Sequence, residues 1–257
     1  MSLLLHFTDT HLYAEPELHQ LKGMNTTESL TKVLDAAWYQ QGQPQGVLLG
    51  GDLAQDDSLT AYQNLKQMLD ARWQEIPLQA TVGNHDDARA LEQVFGDPAI
   101  QEFPGWRVIC VSTQHVGRVA GRISASDLVA LDQALHCDCH ALIVMHHPPV
   151  RIGSRWLDEI NLTNADAFWR IVDTHDNVRG VLFGHAHQAF HARRHGIKVM
   201  GTPSTCLQFK PGSDECEFER IEPGYRWLEL YEDGRIESGV ERVKVALPED
   251  LTDTSTY

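Results

Sequence analysis

Seven residues, Gly46-Val47-Leu48-Leu49-Gly50-Gly51-Asp52, join an apolar run of strand length to two glycines and a carboxylate. A short apolar run closed by glycine is the pattern of a parallel strand covered on both faces. The glycines leave backbone room where a ligand or ion comes close. Asp52 then stands at the carboxyl end of a strand, where open α/β sheets bind their ligands. Taken alone, the stretch reads more readily as a turn with an Asx residue than as a ligand site. Four further apolar runs end in comparable chemistry: Asp9-Thr10-His11, Gly83-Asn84-His85-Asp86, His146-His147-Pro148-Pro149 and Gly184-His185-Ala186-His187.

Between these runs the pattern is helical. Asn25 and Glu28 carry the spacing of a capping box, which predicts a helix over 26–41. Leu59, Tyr62, Leu65, Met68 and Leu69 predict a second over 59–72. Shorter helices are expected up to Phe95, over 126–136 and over 164–174, with strands at 3–8, 46–50, 78–82, 106–112, 141–145 and 179–183. From Gln188 the pattern predicts antiparallel pairing: a hairpin through Gly196 and a final pair around Glu232-Asp233-Gly234. The tail from 248 is polar and expected to fray. Alternating strands and helices with an antiparallel end make an α/β sandwich. The chain of 257 residues reads as a single domain spanning 1–257, its site on strand-end loops that converge on one sheet edge.

The formal net charge of −15 and the lack of a basic patch argue against nucleic acid as a partner. No apolar run is long enough for a membrane span. The opening residues lack the basic and small-residue signals of a secretory leader and read as the first strand. Five cysteines without framework spacing suit a reducing, cytoplasmic setting. Cys137-Asp138-Cys139 has no second cysteine pair and is a weak metal signal. No Gly-x-Ser-x-Gly elbow exists, which excludes the common serine hydrolase arrangement.

Histidine is the informative residue: of 14, six lie in the strand-end motifs. Each motif has a bland reading, as a cap, a rigid loop or a satisfied core imidazole. Jointly, five in a row present more oxygen and nitrogen donors than one ion takes, and mixed imidazole and carboxylate ligands suit iron, manganese or zinc. Two ions sharing one carboxylate use the whole set, an arrangement suited to displacement at phosphorus.

The ordered set Asp-x-His, Gly-Asp, Gly-Asn-His-Asp, His and Gly-His-x-His resembles that of the calcineurin-like binuclear metallophosphoesterases. Further stretches are similar to the bacterial class III 3′,5′-cyclic AMP phosphodiesterases: Thr8–Leu12, Gly51–Asp56, Trp156-Leu157-Asp158, Thr202–Cys206, Gln208–Pro211 and Pro223–Arg226. The resemblance implies a four-layer α/β/β/α sandwich. It implies that Asp9, His11, Asp52 and His187 hold one metal, and that Asp52, Asn84, His146 and His185 hold the other, with Asp52 bridging. His85 would be the catalytic residue facing the phosphate, and His11, Asp52, Asn84, His85 and His187 would contact substrate. The one departure, Pro148 in place of a third histidine, leaves His146 untouched.

The implied activity is hydrolysis of 3′,5′-cyclic AMP to 5′-AMP by hydroxide that two metal ions activate, with His85 protonating the leaving ribose oxygen. The alternatives are a phosphodiesterase or nucleotide phosphoesterase of broader specificity and, remotely, a non-catalytic scaffold that keeps the fold. The loop at 156–164 and the stretch 202–211 are expected to border the base-binding side, with Trp156 and Phe209 equally readable as packing residues.

Overall fold

In the computed structural model, residues 1–254 are described except Asp57, Pro98 and Ala99. The apolar runs become strands, and the periodic stretches become helices. In chain order they are β1 (Ser2–Phe7), α1 (Thr26–Gln41), β2 (Gly46–Leu49), α2 (Leu59–Asp70), β3 (Leu78–Ala80) and α3 (Ala88–Phe95). Next come β4 (Ile100–Phe103), β5 (Trp106–Cys110), α4 (Ala125–Leu135), β6 (His140–Val144), α5 (Arg155–Asp158), α6 (Ala165–Val172) and β7 (Val178–Phe183). The chain continues through β8 (Phe190–Arg194), β9 (Ile197–Gly201), β10 (Gln208–Phe209), β11 (Phe218–Glu219), β12 (Gly224–Leu230) and β13 (Ile236–Arg242). Half of the expected capping box forms, since the Asn25 side chain accepts the N–H of Glu28 at 3.0 Å.

Two large sheets are built from these strands, ordered β13-β12-β1-β2-β3 and β4-β5-β6-β7-β9-β8, and β10 and β11 form a separate two-stranded ribbon. Alternation along each apolar run then builds four layers. Leu4, Leu48, Val108, Leu142, Val144, Leu182 and Leu228 point between the sheets. Leu5, Val47 and Leu49 face α1, α2 and α3 through Leu30, Leu34, Tyr62, Leu65 and Leu91. Ile109, Ile143 and Val181 face α4 and α6 through Leu131, Phe168, Trp169 and Val172. This is the expected α/β/β/α sandwich, and it explains why the strands read as continuous apolar runs: both faces of each sheet are covered.

Several expectations need correcting. The strand-end motifs converge on the seam between two sheets, not on the edge of one. The region after Gln188 is not wholly antiparallel: β9 pairs in parallel with β7, while β8 with β9, β10 with β11, and β12 with both β1 and β13 pair antiparallel. Residues Trp156-Leu157-Asp158 form a helical turn rather than a loop. The tail, as far as it is described, is held rather than frayed. Val245, Leu247 and Leu251 pack against the Leu21, Met24 and Leu207 cluster, and Lys22 pairs with Asp253 at 3.2 Å. Its last three residues lie outside the described set. Cys137 and Cys139 form a disulfide, because the tight turn after α4 brings their Cα atoms to 5.3 Å. Cys110, Cys206 and Cys216 are free thiols.

Candidate metal centre

Asp9 and His11 follow β1, Asp52 follows β2, and Asn84 and His85 follow β3. From the second sheet, His146 follows β6, and His185 and His187 follow β7. All strands involved run in parallel within their sheets, so every motif emerges at a carboxyl end. The seam is stitched by hydrogen bonds between the sheets. The backbone N–H of His185 donates to Asp9 Oδ1 at 3.0 Å, and His146 Nδ1 donates to the carbonyl of Gly50 at 2.8 Å.

Five of the seven expected ligands, Asp9, His11, Asp52, His185 and His187, have positive φ between 45° and 60°. Non-glycine residues seldom adopt this left-handed conformation, and such strain gathers at functional sites. It turns each side chain sharply off its strand and into the seam. Glycines make room for the result. A Cβ on Gly51 would lie 2.6 Å from His146 Nδ1; one on Gly83 would strike the Asp52 carboxylate, and one on Gly184 would strike Thr8.

All eight sequence-predicted residues come together. His187 Nε2 lies 3.3 Å from Asp9 Oδ1 and 3.2 Å from His11 Nε2. His146 Nε2 lies 3.2 Å from both Asp52 Oδ2 and Asn84 Oδ1. Donor atoms of Asp9, His11 and His187, of Asp9, Asp52 and His146, and of His11, Asp52 and His85 form groups that fit an ion. His185 Nε2 is buried and has no hydrogen-bond partner, as expected of a nitrogen aimed at a cation. Two other imidazole nitrogens are oriented from behind: His11 Nδ1 by Gln55 Oε1 at 2.7 Å, and His187 Nδ1 by the Leu207 carbonyl at 2.8 Å.

The electrostatics also call for cations. Burial alone would raise the Asp52 carboxyl, but the surrounding imidazoles, His146 foremost, hold it well below the usual range. Asp9 is lowered likewise, with His187 as the main charge working against burial. Burial drives His11 down to about 3 and His185 well below its ordinary value, so both offer lone pairs. Burial also opposes charge on His146, yet the Asp52 and Asp9 carboxylates raise it to about 9. A proton on His146 therefore supplies positive charge that a metal ion would bring, and ion binding displaces it.

Two motif residues prove structural. Both ring nitrogens of His147 are engaged, Nδ1 with Thr113 Oγ1 at 2.8 Å and Nε2 with the Val119 carbonyl at 2.9 Å. Asp86 accepts the N–H groups of Leu53, Ala54 and Gly83 and the hydroxyl of Tyr62, tying two ligand loops together.

A cleft of ≈ 480 Å³ opens beside the centre, lined by Asp52, Asn84, His85, His185 and His187 together with Trp156, Leu157, Ile160 and Phe209. The rings of Trp156 and Phe209 meet edge to face at 4.8 Å, and Phe209 lies 4.4 Å from the ring of His187. They thus line the cleft and pack at once. Of the stretch 202–211 only Phe209 reaches the cleft. Ser204 instead donates to the Asp9 carbonyl, and Thr202 meets His6. Sequence reasoning missed the Gly117-Arg118-Val119 wall, which carries no periodic or chemical pattern.

This sandwich and its seam of carboxylates and imidazoles define a metallophosphoesterase. Residues 3–189 match the calcineurin-like phosphoesterase family, and the chain belongs to it. Its curated relatives include a 3′,5′-cyclic adenosine monophosphate phosphodiesterase CpdA from Pseudomonas aeruginosa, 34% identical over 99% of this chain and 95% of the relative. Another is a 3′,5′-cyclic-nucleotide phosphodiesterase from Nostoc, 33% identical over 99% of this chain and 97% of the relative. Among solved structures, a dimetal phosphatase from Danio rerio shares the fold with a TM-score of 0.68 at 15% identity, covering 95% of this chain and 99% of the other.

Proposed function

We propose that this chain is a phosphodiesterase that hydrolyses 3′,5′-cyclic AMP to 5′-AMP at a centre of two divalent metal ions. The observation that supports it most is the meeting of seven oxygen and nitrogen donors and His85 beside one aromatic-walled cleft. Asp9, His11, Asp52 and His187 hold one ion; Asp52, Asn84, His146 and His185 hold the other. The donor set suits iron, manganese or zinc. When bound, the ions offset phosphoryl charge and lower the pKa of water.

The protein's own residues do the rest. Asp52 spans the centre, its Oδ1 accepting the His85 N–H at 2.9 Å. His85, half-buried at the cleft with its ring 5.1 Å from that of His11, delivers a proton to the departing ribose O3′. His11, Asp52, Asn84, His85 and His187 surround the phosphate, while Trp156 and Phe209 offer the base an apolar face. Among the described residues no helix is long and apolar enough to cross a membrane. A small cytoplasmic substrate, neither nucleic acid nor membrane, fits a chain of net charge −15 in which bound metal ions would meet the substrate's charge locally. The whole chain acts as one domain.

Elemental analysis of protein purified without added metal, followed by a panel of cyclic AMP, cyclic GMP, 2′,3′-cyclic AMP and p-nitrophenyl phosphates, tests this reading. Two equivalents of metal and preferred turnover of cyclic AMP are expected. Equal turnover of the whole panel would favour the broader phosphodiesterase, a reading that the naming of the Nostoc relative for cyclic nucleotides in general keeps in view. His85→Ala should lose kcat far more than metal; full activity in that variant would remove His85 from catalysis.

A further inference from the structure

A second group of metal-ligating side chains lies away from this centre. Donor atoms of Asp132, His136 and His175 come within 4.8 Å of one another. His175 Nε2 lies 2.8 Å from Asp132 Oδ1, and the rings of His136 and His175 meet edge to face at 4.8 Å. We propose that these three residues form a separate binding site for a divalent transition metal, zinc foremost, that clamps α4 to α6.

The side chains arrive from two elements. Asp132 is in the last turn of α4, with His136 just past it; His175 follows the end of α6. Two helix carboxyl ends, each the negative end of a dipole, therefore converge on the group; the last turn of α4 has no basic residue, and that of α6 carries Arg170. His136 Nδ1 donates to the Asp132 carbonyl at 2.7 Å, which fixes the tautomer and leaves Nε2 as a lone-pair donor. The Asn177 amide braces both loops, donating to the carbonyls of Leu135 and Cys139 at 3.0 Å. A surface cavity of ≈ 490 Å³ opens at the two imidazoles, lined by His136 and His175 with Asp138 and Asp176 on its wall, and leaves room for water as the fourth ligand. Two imidazoles and a carboxylate with one open position are a zinc donor set.

The site is distinct from the phosphodiesterase centre by topology. α4 and α6 feed the amino ends of β6 and β7, whereas His146 and His185 follow the carboxyl ends of those strands. The length of a strand separates the two, roughly 16 Å for five residues at about 3.3 Å each. The disulfide between Cys137 and Cys139 keeps both neighbouring sulfurs out of the ligand set.

The test uses the full chain under non-reducing conditions, with its principal centre first saturated with manganese. Zinc binding is followed by equilibrium dialysis and by the shift in melting temperature. Wild type should take up one zinc equivalent more than His136→Gln and His175→Gln, and its added thermal stabilisation should be lost in both. Removing either imidazole should weaken that equivalent by at least the roughly 10–100-fold that even a lost outer-shell partner costs. Turnover by the two variants should match wild type, which shows them folded. Equal zinc stoichiometry and equal melting shifts in all three proteins would overturn the proposal.

Discussion

Asp52 Oδ2 and His146 Nε2 lie 3.2 Å apart across the seam between two sheets that share no strand. Each residue is closed off from solvent, and each is lined up by backbone at its rear: Asp52 by the His85 N–H, His146 by the Gly50 carbonyl. The centre is therefore a property of how the sheets dock, and single changes should reveal which side each ligand serves.

Asp52→Ala should lose both metal equivalents together with activity, because the two proposed ligand sets share Asp52. Asn84→Ala and His11→Ala should each release one equivalent first. Metal content of the three variants, measured after equal dialysis, checks the asymmetry. An Asp52→Ala protein that still holds two equivalents would refute the bridge.

Gly83→Ala should be as damaging as loss of a ligand although no donor is removed. The backbone there is one that other residues adopt, but the added methyl group would strike the carboxylate and the backbone nitrogen of Asp52. Metal content should fall below one equivalent, with far-UV circular dichroism unchanged.

Trp156→Ala should raise the KM for cyclic AMP by roughly 10–100-fold, as expected for a lost aromatic surface worth about 1–3 kcal/mol per base. Turnover of bis-p-nitrophenyl phosphate should change little, since the metal ligands stay in place. Equal losses on both substrates would mean that Trp156 acts by packing against Phe209 and not on the base.

The metal-free protein should weaken in mild acid, and His6 should account for part of this. His6 is fully buried beside Arg226, with Nδ1 on Thr202 Oγ1 at 2.6 Å, and burial first, then Arg226, lowers its pKa to about 3. Below the unfolded value of 6.5 the unfolded chain takes up a proton that the folded chain refuses. Stability from this group is thus full above 6.5 and falls as pH drops towards 3, by up to about 1.4 kcal/mol per pH unit. Urea unfolding at pH 7.5 and pH 5 in chelator should show a shallower loss for His6→Gln. An unchanged slope would clear His6 of the effect.

The sequence carried the site better than the sheet. Every ligand follows a contiguous apolar run, so strand, loop and donor could be read together. Pairing partners are not encoded in such a run, which is why the two-sheet seam and the parallel β7–β9 pair were not legible. β4 was missed because Ile100-Gln101-Glu102-Phe103 is a part-exposed edge strand with only Phe103 against the core. The left-handed backbone of Asp9, His11, Asp52, His185 and His187 leaves only a faint trace in residue type, since Asp and His are enriched at positive φ but glycine alone advertises it strongly. Asp86, adjacent to His85 and chemically equal to Asp52, could be told apart only by the donors that surround it.

The place of β12 beside β1 sets a timetable for synthesis. Leu230 pairs with Ser2, and Tyr225 packs its ring 5.6 Å from Phe7, at the root of the Asp9 and His11 loop. A nascent chain that has just extended past His187 carries every donor, yet its first strand lacks one of its two neighbours. The centre is therefore expected to be complete only once β12 has joined the sheet, well after its last donor has been made.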